Sequence, residues 1–321
     1  MLICFSAEAK EGAYNGYVLA QSTIIPSLTP LLIIFLIVMK TGAKDVLAKA
    51  LGFLSHYVLN LPYVAFPAVF LGMLGGYPTG AMLTGELSEG GDIDKKQARR
   101  MMRFNFCGGA GFIITAVGTA TLNSRRAGVI LFLSNVTASL LLGFILSFTE
   151  KRTEEKFYSN GERLGFADAM CQSVSSAVGS VLNITAYIIF FSAFSGIFNI
   201  GKYLMPLLEI TNGVCGENRF SLPLVSGYLA FGGLCIHLQL LPFIRQADMK
   251  LWDFCLFRGL SAALSYGVCR VLLLIFPLEQ EVFNQSAQAV RLSSENALLS
   301  FLLILGCFVL VLDTRSKKSV V

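Results

Sequence analysis

Two glycine-rich stretches carry the residue types that could do chemistry in this chain. The first is Gly75-Gly76-Tyr77-Pro78-Thr79-Gly80 and the second Gly232-Gly233-Leu234-Cys235-Ile236-His237-Leu238-Gln239, and each interrupts a long apolar run. Glycine and proline break the helix ladder, and non-helical backbone at membrane depth is tolerated only where protein covers it or it lines a wet cavity. Such a break exposes backbone N–H groups at the start of the next helix, which suit an anionic or polar ligand. Gly75 and Gly80 have the spacing of a phosphate loop, but Ala81 and Met82 stand where Lys and Ser or Thr would hold phosphate and magnesium. Nucleotide hydrolysis is not indicated. His237 and Gln239 place polar side chains in lipid just after the second break, which marks a site or a bundle contact.

Asn105, ahead of Gly108, Gly109 and Gly111, and Asn183, in a polar stretch of a later span, complete the candidate substrate-binding set. That set is Gly75, Gly76, Tyr77, Pro78, Thr79, Gly80, Asn105, Asn183, Gly232, Gly233, His237 and Gln239. No metal is expected, because the other histidine, His56, lies far off with no carboxylates spaced to share an ion. Nor is a cofactor or an enzyme activity, since no nucleophile and base pair or cofactor loop stands out.

The distribution of charge narrows the ligand. Segments 62–85, 104–121, 127–148, 174–199, 221–244 and 297–312 hold no Asp or Glu, whereas Arg258 and Arg270 fall within a span and Arg103 enters one. A carboxylate proton relay or a cation path is disfavoured, and a small anionic solute is favoured. Arg258 and Arg270 also have a bland reading, snorkelling toward the interfaces. Lys95, Lys96, Arg99, Arg100 and Arg103 form one basic helix face, read as anchoring on anionic membrane lipid in preference to a substrate funnel.

The elements that must position these residues are helical spans. Of 321 residues 55% are hydrophobic and only 14% charged, against about a quarter charged in soluble domains. Apolar stretches near 18–39, 62–85, 104–121, 127–148, 174–199, 221–244, 252–276 and 297–312 give eight hydrophobic segments and predict an all-α polytopic membrane protein. The net charge, 25 − 20 = +5, reflects loops and not a nucleic-acid partner. The eight cysteines form no C-x-x-C pair and read as small buried residues. Met1 to Phe5 is too short for the apolar region of a cleaved signal. Strict alternation of the spans puts fifteen basic residues on one side and eight on the other, which would make both termini cytoplasmic.

Shifting the chain by 157 residues lays Gly75-Gly76 on Gly232-Gly233 and Pro26 on Asn183. The chain therefore divides into related halves, 1–148 and 166–321, joined by a polar linker, 149–165. If each broken segment is a re-entrant hairpin, each half crosses three times and the halves become inverted repeats, as in secondary transporters. The basic residues then divide thirteen to ten, so charge and symmetry disagree. The need to cover the breaks from lipid favours hairpins.

These motifs resemble a known family. Ile25-Pro26-Ser27-Leu28-Thr29-Pro30, Gly75 to Ala81, Phe104-Asn105-Phe106 with its glycines, and Phe231 to Gln239 are similar to the YlbJ-type sporulation integral membrane proteins. Those carry the nucleoside-recognition Gate domain, also found in nucleoside transporters and ferrous-iron transport GTPases. The resemblance spans about residues 7–312. It implies a transporter-like protein of endospore formers that passes dipicolinic acid, an aromatic dianion, across the outer forespore membrane. A nucleoside or nucleobase carrier is the first alternative. A non-transporting sporulation scaffold, with unnamed protein partners or a second copy, is the other.

Overall fold

The computed structural model describes residues 6–149, 163–198, 200–215 and 220–278. Among them every regular element is helical, and five helices are long and apolar enough to cross a membrane. A bent pair would make a sixth. The chain is an all-α polytopic membrane protein. The eighth hydrophobic segment, 297–312, and most of the 149–165 linker lie outside the described residues.

The first rod combines α1 (Ser6–Leu19) and α2 (Ile25–Lys40) around a π-helical turn at Ala20–Ile24. Pro26 and Pro30 explain the turn, because neither can donate to the ladder and each ring crowds the carbonyl four residues back. The rod packs antiparallel against α8 (Phe166–Ile197): Gly12 meets Ser192, Gly16 meets Ile188, and Gly196 meets Glu8. Leu164 N–H donates to the Lys40 carbonyl at the far end (3.0 Å). Small residues let the two backbones approach without a hydrophobic driving force.

The chain then turns along α3 (Ala43–Leu59) and bends by 103° at Asn60, a left-handed residue, into the segment that leads to α4 (Phe66–Gly75). Next comes α5 (Tyr77–Glu89), which folds back on α4, with Gly76 alone at the tip. The Gly72 Cα hydrogen and the Gly80 backbone face each other across the arms, where a Cβ on Gly72 would sit 2.8 Å from Gly80 Cα. Segment 62–85 is thus a re-entrant hairpin.

Helix α6 (Lys95–Phe104) starts at a reciprocal cap, Gln97 N–H to Asp94 Oδ1 (2.7 Å) and Asp94 N–H to Gln97 Oε1 (2.9 Å). It continues through extended chain into a π-helix, Gly111–Thr121, and α7 (Arg125–Ser147) returns antiparallel to it, with Gly128 against Gly118 and Gly143 against Phe104. The second half places two short helices, α9 (Met205–Leu208) and α10 (Ile210–Cys215), before α11 (Leu222–Phe231), α12 (Gly233–Gln239), α13 (Leu241–Gln246) and α14 (Leu251–Ile275).

Here the expected symmetry fails. Leu222–Gln239 is span-like in its own right, and α13 ends beside the first half's loop: Gln246 Nε2 donates to Glu89 Oε1 (2.6 Å), and Arg99 pairs with Asp248 (2.8 Å). The second broken segment therefore crosses, and only the first is a hairpin. Four residues on either side of Gly76 stand Gly72 and Gly80, which let two arms touch, whereas Tyr228 and Ile236 occupy those positions around Gly232. The first rods of the two halves are antiparallel, but α14 runs parallel to the α6 segment, with Asp253 at Arg103 and Arg258 at Phe106.

Ion pairs also correct the sidedness drawn from strict alternation. Lys40 pairs with Glu86 (3.6 Å), Lys44 with Asp92 (3.9 Å) and Arg163 with Asp45 (3.0 Å), so these residues share one end with Lys95 and Lys96. Lys10, Arg125, Arg126 and Lys202 lie at the other. The richer end faces the cytoplasm by the positive-inside rule, which places the start of α1 opposite. Cysteine at position 96 should label from the cytoplasmic face and cysteine at 126 only from the outside; the reverse pattern in whole cells and inverted vesicles would refute this orientation. Of the basic face, Arg99 and Arg103 bind Asp248 and Asp253, Arg100 is buried, and Lys95 and Lys96 are exposed.

Candidate functional site

The hairpin tip meets a cavity of about 660 Å³, counted to its open mouth. Its walls come from both halves of the sequence. The tip supplies Leu74 to Pro78, the first rod supplies Ile24 from its π-helical turn and Ser27, Leu28 and Leu31 from α2, and Gly109 with Gly111 and Phe112 at the start of the later π-helix adds a further wall. Ile184 and Ile188 of α8, Glu209 to Thr211, and Cys235, Ile236 and Gln239 of α12 close it. Its mostly apolar lining with a few polar groups is that of a small-molecule site.

Gly76 sets the tip with φ +105° and ψ −178°, a conformation open only to glycine. A Cβ there would also press on Gly109 N at 3.2 Å. Tyr77, behind the tip, donates its hydroxyl to the Leu229 carbonyl of α11 and lays its ring edge on Gly232, so the first break is bound to the second. Gly232 and Gly233 both have positive φ (88° and 74°), and a Cβ on Gly233 would meet the Pro206 carbonyl at 3.0 Å.

Of the expected site residues, Gly75, Gly76, Tyr77, Pro78 and Gln239 line the cavity. Thr79 is fully buried and packs on Gly75; Gly80 packs on Asn105. Asn105 is a clamp and not a cavity residue: its amide donates to Ala68 on one arm (3.2 Å) and to Gly80 and Thr84 on the other (3.4 Å each). Asn105→Ala should cost about 1–3 kcal/mol through the stranded carbonyls, read as a lower unfolding temperature in detergent; no change would show that the clamp carries no load. Asn183 is exposed, because the inward face of α8 is Ala177, Val181, Ile184 and Ile188. His237 is buried behind the cavity wall, its Nδ1 donating to the Gly233 carbonyl (2.6 Å) and its ring 4.8 Å from Phe231. Among the described residues no cluster of three or more His, Cys, Asp or Glu is placed to hold a metal ion.

One residue changes the electrostatic picture. Glu209 is 1% exposed, lines the cavity, and accepts Thr211 N–H (2.8 Å) and Asn212 N–H (2.7 Å), one at each carboxylate oxygen. The apolar segments themselves lack carboxylates, but this one reaches membrane depth from the connection between them. Its only sequence signal is Met205-Pro-Leu-Leu-Glu209-Ile, an acidic residue in an otherwise apolar patch.

A known protein is similar to this chain over most of its length. The chain is 20% identical to the sporulation integral membrane protein YlbJ of Bacillus subtilis (strain 168), over 319 aligned positions that take in 84% of this chain and 78% of that protein. The likeness is a family-level relation. No protein-family model matches the chain, and no solved structure matches it. The Gate likeness therefore rests on the motif residues alone. An integral membrane location follows from the relative and from the span-length apolar helices together.

Proposed function

We propose that this protein is a carrier, not an enzyme, with a sporulation-related role, and that it passes a small anionic solute, dipicolinate, through the cavity at Gly76. The observation that carries the reading is the re-entrant hairpin itself. A glycine tip at membrane depth, clamped by Asn105 and closed by elements of both halves, is the kind of broken segment that secondary transporters place at their substrate. The similarity to YlbJ supports the sporulation setting.

Glu209 does not exclude an anion, because its two oxygens are held by backbone N–H groups that offset its charge. It does favour a second reading. A carboxylate and the Gln239 amide on one cavity wall offer an acceptor and a donor to an uncharged heterocycle, as a nucleoside or nucleobase carrier requires. Binding of labelled dipicolinate to the purified protein, with uridine as competitor, separates the two. Saturable binding indifferent to uridine is expected; displacement by uridine would move the assignment to nucleosides.

A further inference from the structure

Most of α14 faces outward, and its inward stripe is Phe254, Arg258, Ser261, Ser265 and Cys269. The spacing is that of an ordinary packed helix face, but three of its five residues are polar. Ser265 is satisfied by Ser226 of α11 at 2.8 Å. Arg258 is not satisfied. It is 2% exposed, and only Nη1 has a partner, the Phe106 carbonyl at 3.3 Å. Nε and Nη2 have none among the described residues, and no described carboxylate lies within ion-pair distance. The Ser261 hydroxyl, one turn along the same stripe, is also fully buried, with no partner among the described residues.

A guanidinium withdrawn from water without a counter-charge is costly. The rings of Phe106 and Phe254, 5.3 and 5.9 Å from its centre, return only part of that cost. The unpartnered pair is also chemically specific. Nε and Nη2 form one edge of the guanidinium, the edge that binds a carboxylate through two parallel hydrogen bonds. Arg258 is not itself a cavity residue, but its charge acts on the phenol of Tyr77, which lines the cavity. Snorkelling is ruled out by burial.

We infer that the Nε and Nη2 edge of Arg258 is a binding site for the carboxylate of a small solute, with the Ser261 hydroxyl as a further donor, reached from the cavity past the Tyr77 ring. This deepens the carrier reading, resting on the anionic nature of the solute and not on flux. It assigns the positive charge that the cavity, with Glu209 in its wall, does not itself supply.

The test is thermal unfolding of the full chain in detergent, titrated with pyridine-2,6-dicarboxylate, with its uncharged diamide, and with chloride. The diacid should raise the unfolding temperature saturably and the diamide should not. Arg258→Lys keeps the charge and loses the two-bond edge, so its affinity for the diacid should fall about tenfold or more; Arg258→Met should show no shift. Replacing an uncompensated buried charge by an apolar side chain favours folding, and should Arg258→Met not fold, the lysine variant decides. Stabilisation by chloride alone, an equal diacid shift in the variants, or no shift would overturn the assignment. Arg258-dependent binding without uptake would refute transport and leave this site standing; uptake with Arg258-independent binding would do the reverse.

Discussion

Gly80→Val should collapse the hairpin. A Cβ at position 80 would fall on the Asn105 carbonyl oxygen, and neither group can retreat. Asn105 is held by both arms through its side-chain amide, and its own N–H is committed to Met101 (2.7 Å). Overpacking of a closed core costs about 1–3 kcal/mol, and here the obstacle is backbone, so about 3 kcal/mol is expected. Loss of transport should accompany it, because the tip at Gly76 is aimed by this contact. Gly259→Ala supplies the control: nothing lies within 4 Å of a Cβ there, and the residue is exposed on α14. That variant should be neutral or gain up to about 1 kcal/mol from helix propensity. Equal unfolding temperatures for the two variants would remove the hairpin contact from the account.

Glu209→Gln separates the two substrate readings by sign. Glutamine keeps one oxygen to accept Thr211 or Asn212 N–H, so the fold should survive with a loss of about 1 kcal/mol. What disappears is a negative charge in the cavity wall. For an anionic solute a few ångströms away, removing a like charge is worth one to a few kcal/mol at the effective dielectric of such sites, so affinity should rise about tenfold or more. For a nucleoside that uses the carboxylate as an acceptor, affinity should fall instead. Titrating both ligands into the variant gives the answer, and a weaker dipicolinate complex would count against the anion reading.

Much of this architecture was legible because membrane spans are written as long apolar runs. The segments at 127–148 and 252–276 correspond to α7 and α14 within a few residues, and 174–199 lies in α8, which starts eight residues earlier at Phe166. The break at Gly76 was legible because Gly75, Gly76, Pro78 and Gly80 fall together inside an apolar run. Asn183 misled because polarity in a span does not say which way a side chain points; the face of α8 is set by its packing on α2 and α1. Glu209 escaped because one acidic residue in a connection between spans carries no sign of depth; α9 and α10 pack against the start of α12 and bring it to the cavity wall. The second break looked like the first in its glycines, and only the size of the residues flanking it, Tyr228 and Ile236, decides between crossing and hairpin. Sidedness failed for the same reason, since a re-entrant pair counted as a crossing reverses the side assigned to every later loop.

The central claim is that the cavity at the hairpin tip carries a small anionic solute across the membrane. Uptake of labelled dipicolinate into proteoliposomes containing the purified full chain, with Gly76→Leu as the paired variant and uridine as competitor, tests it most directly. Saturable uptake that uridine does not reduce and that Gly76→Leu abolishes is expected, because leucine is strained at φ +105° and crowds Gly109. Uptake that survives in Gly76→Leu, or absence of flux from a folded wild-type protein, would contradict it.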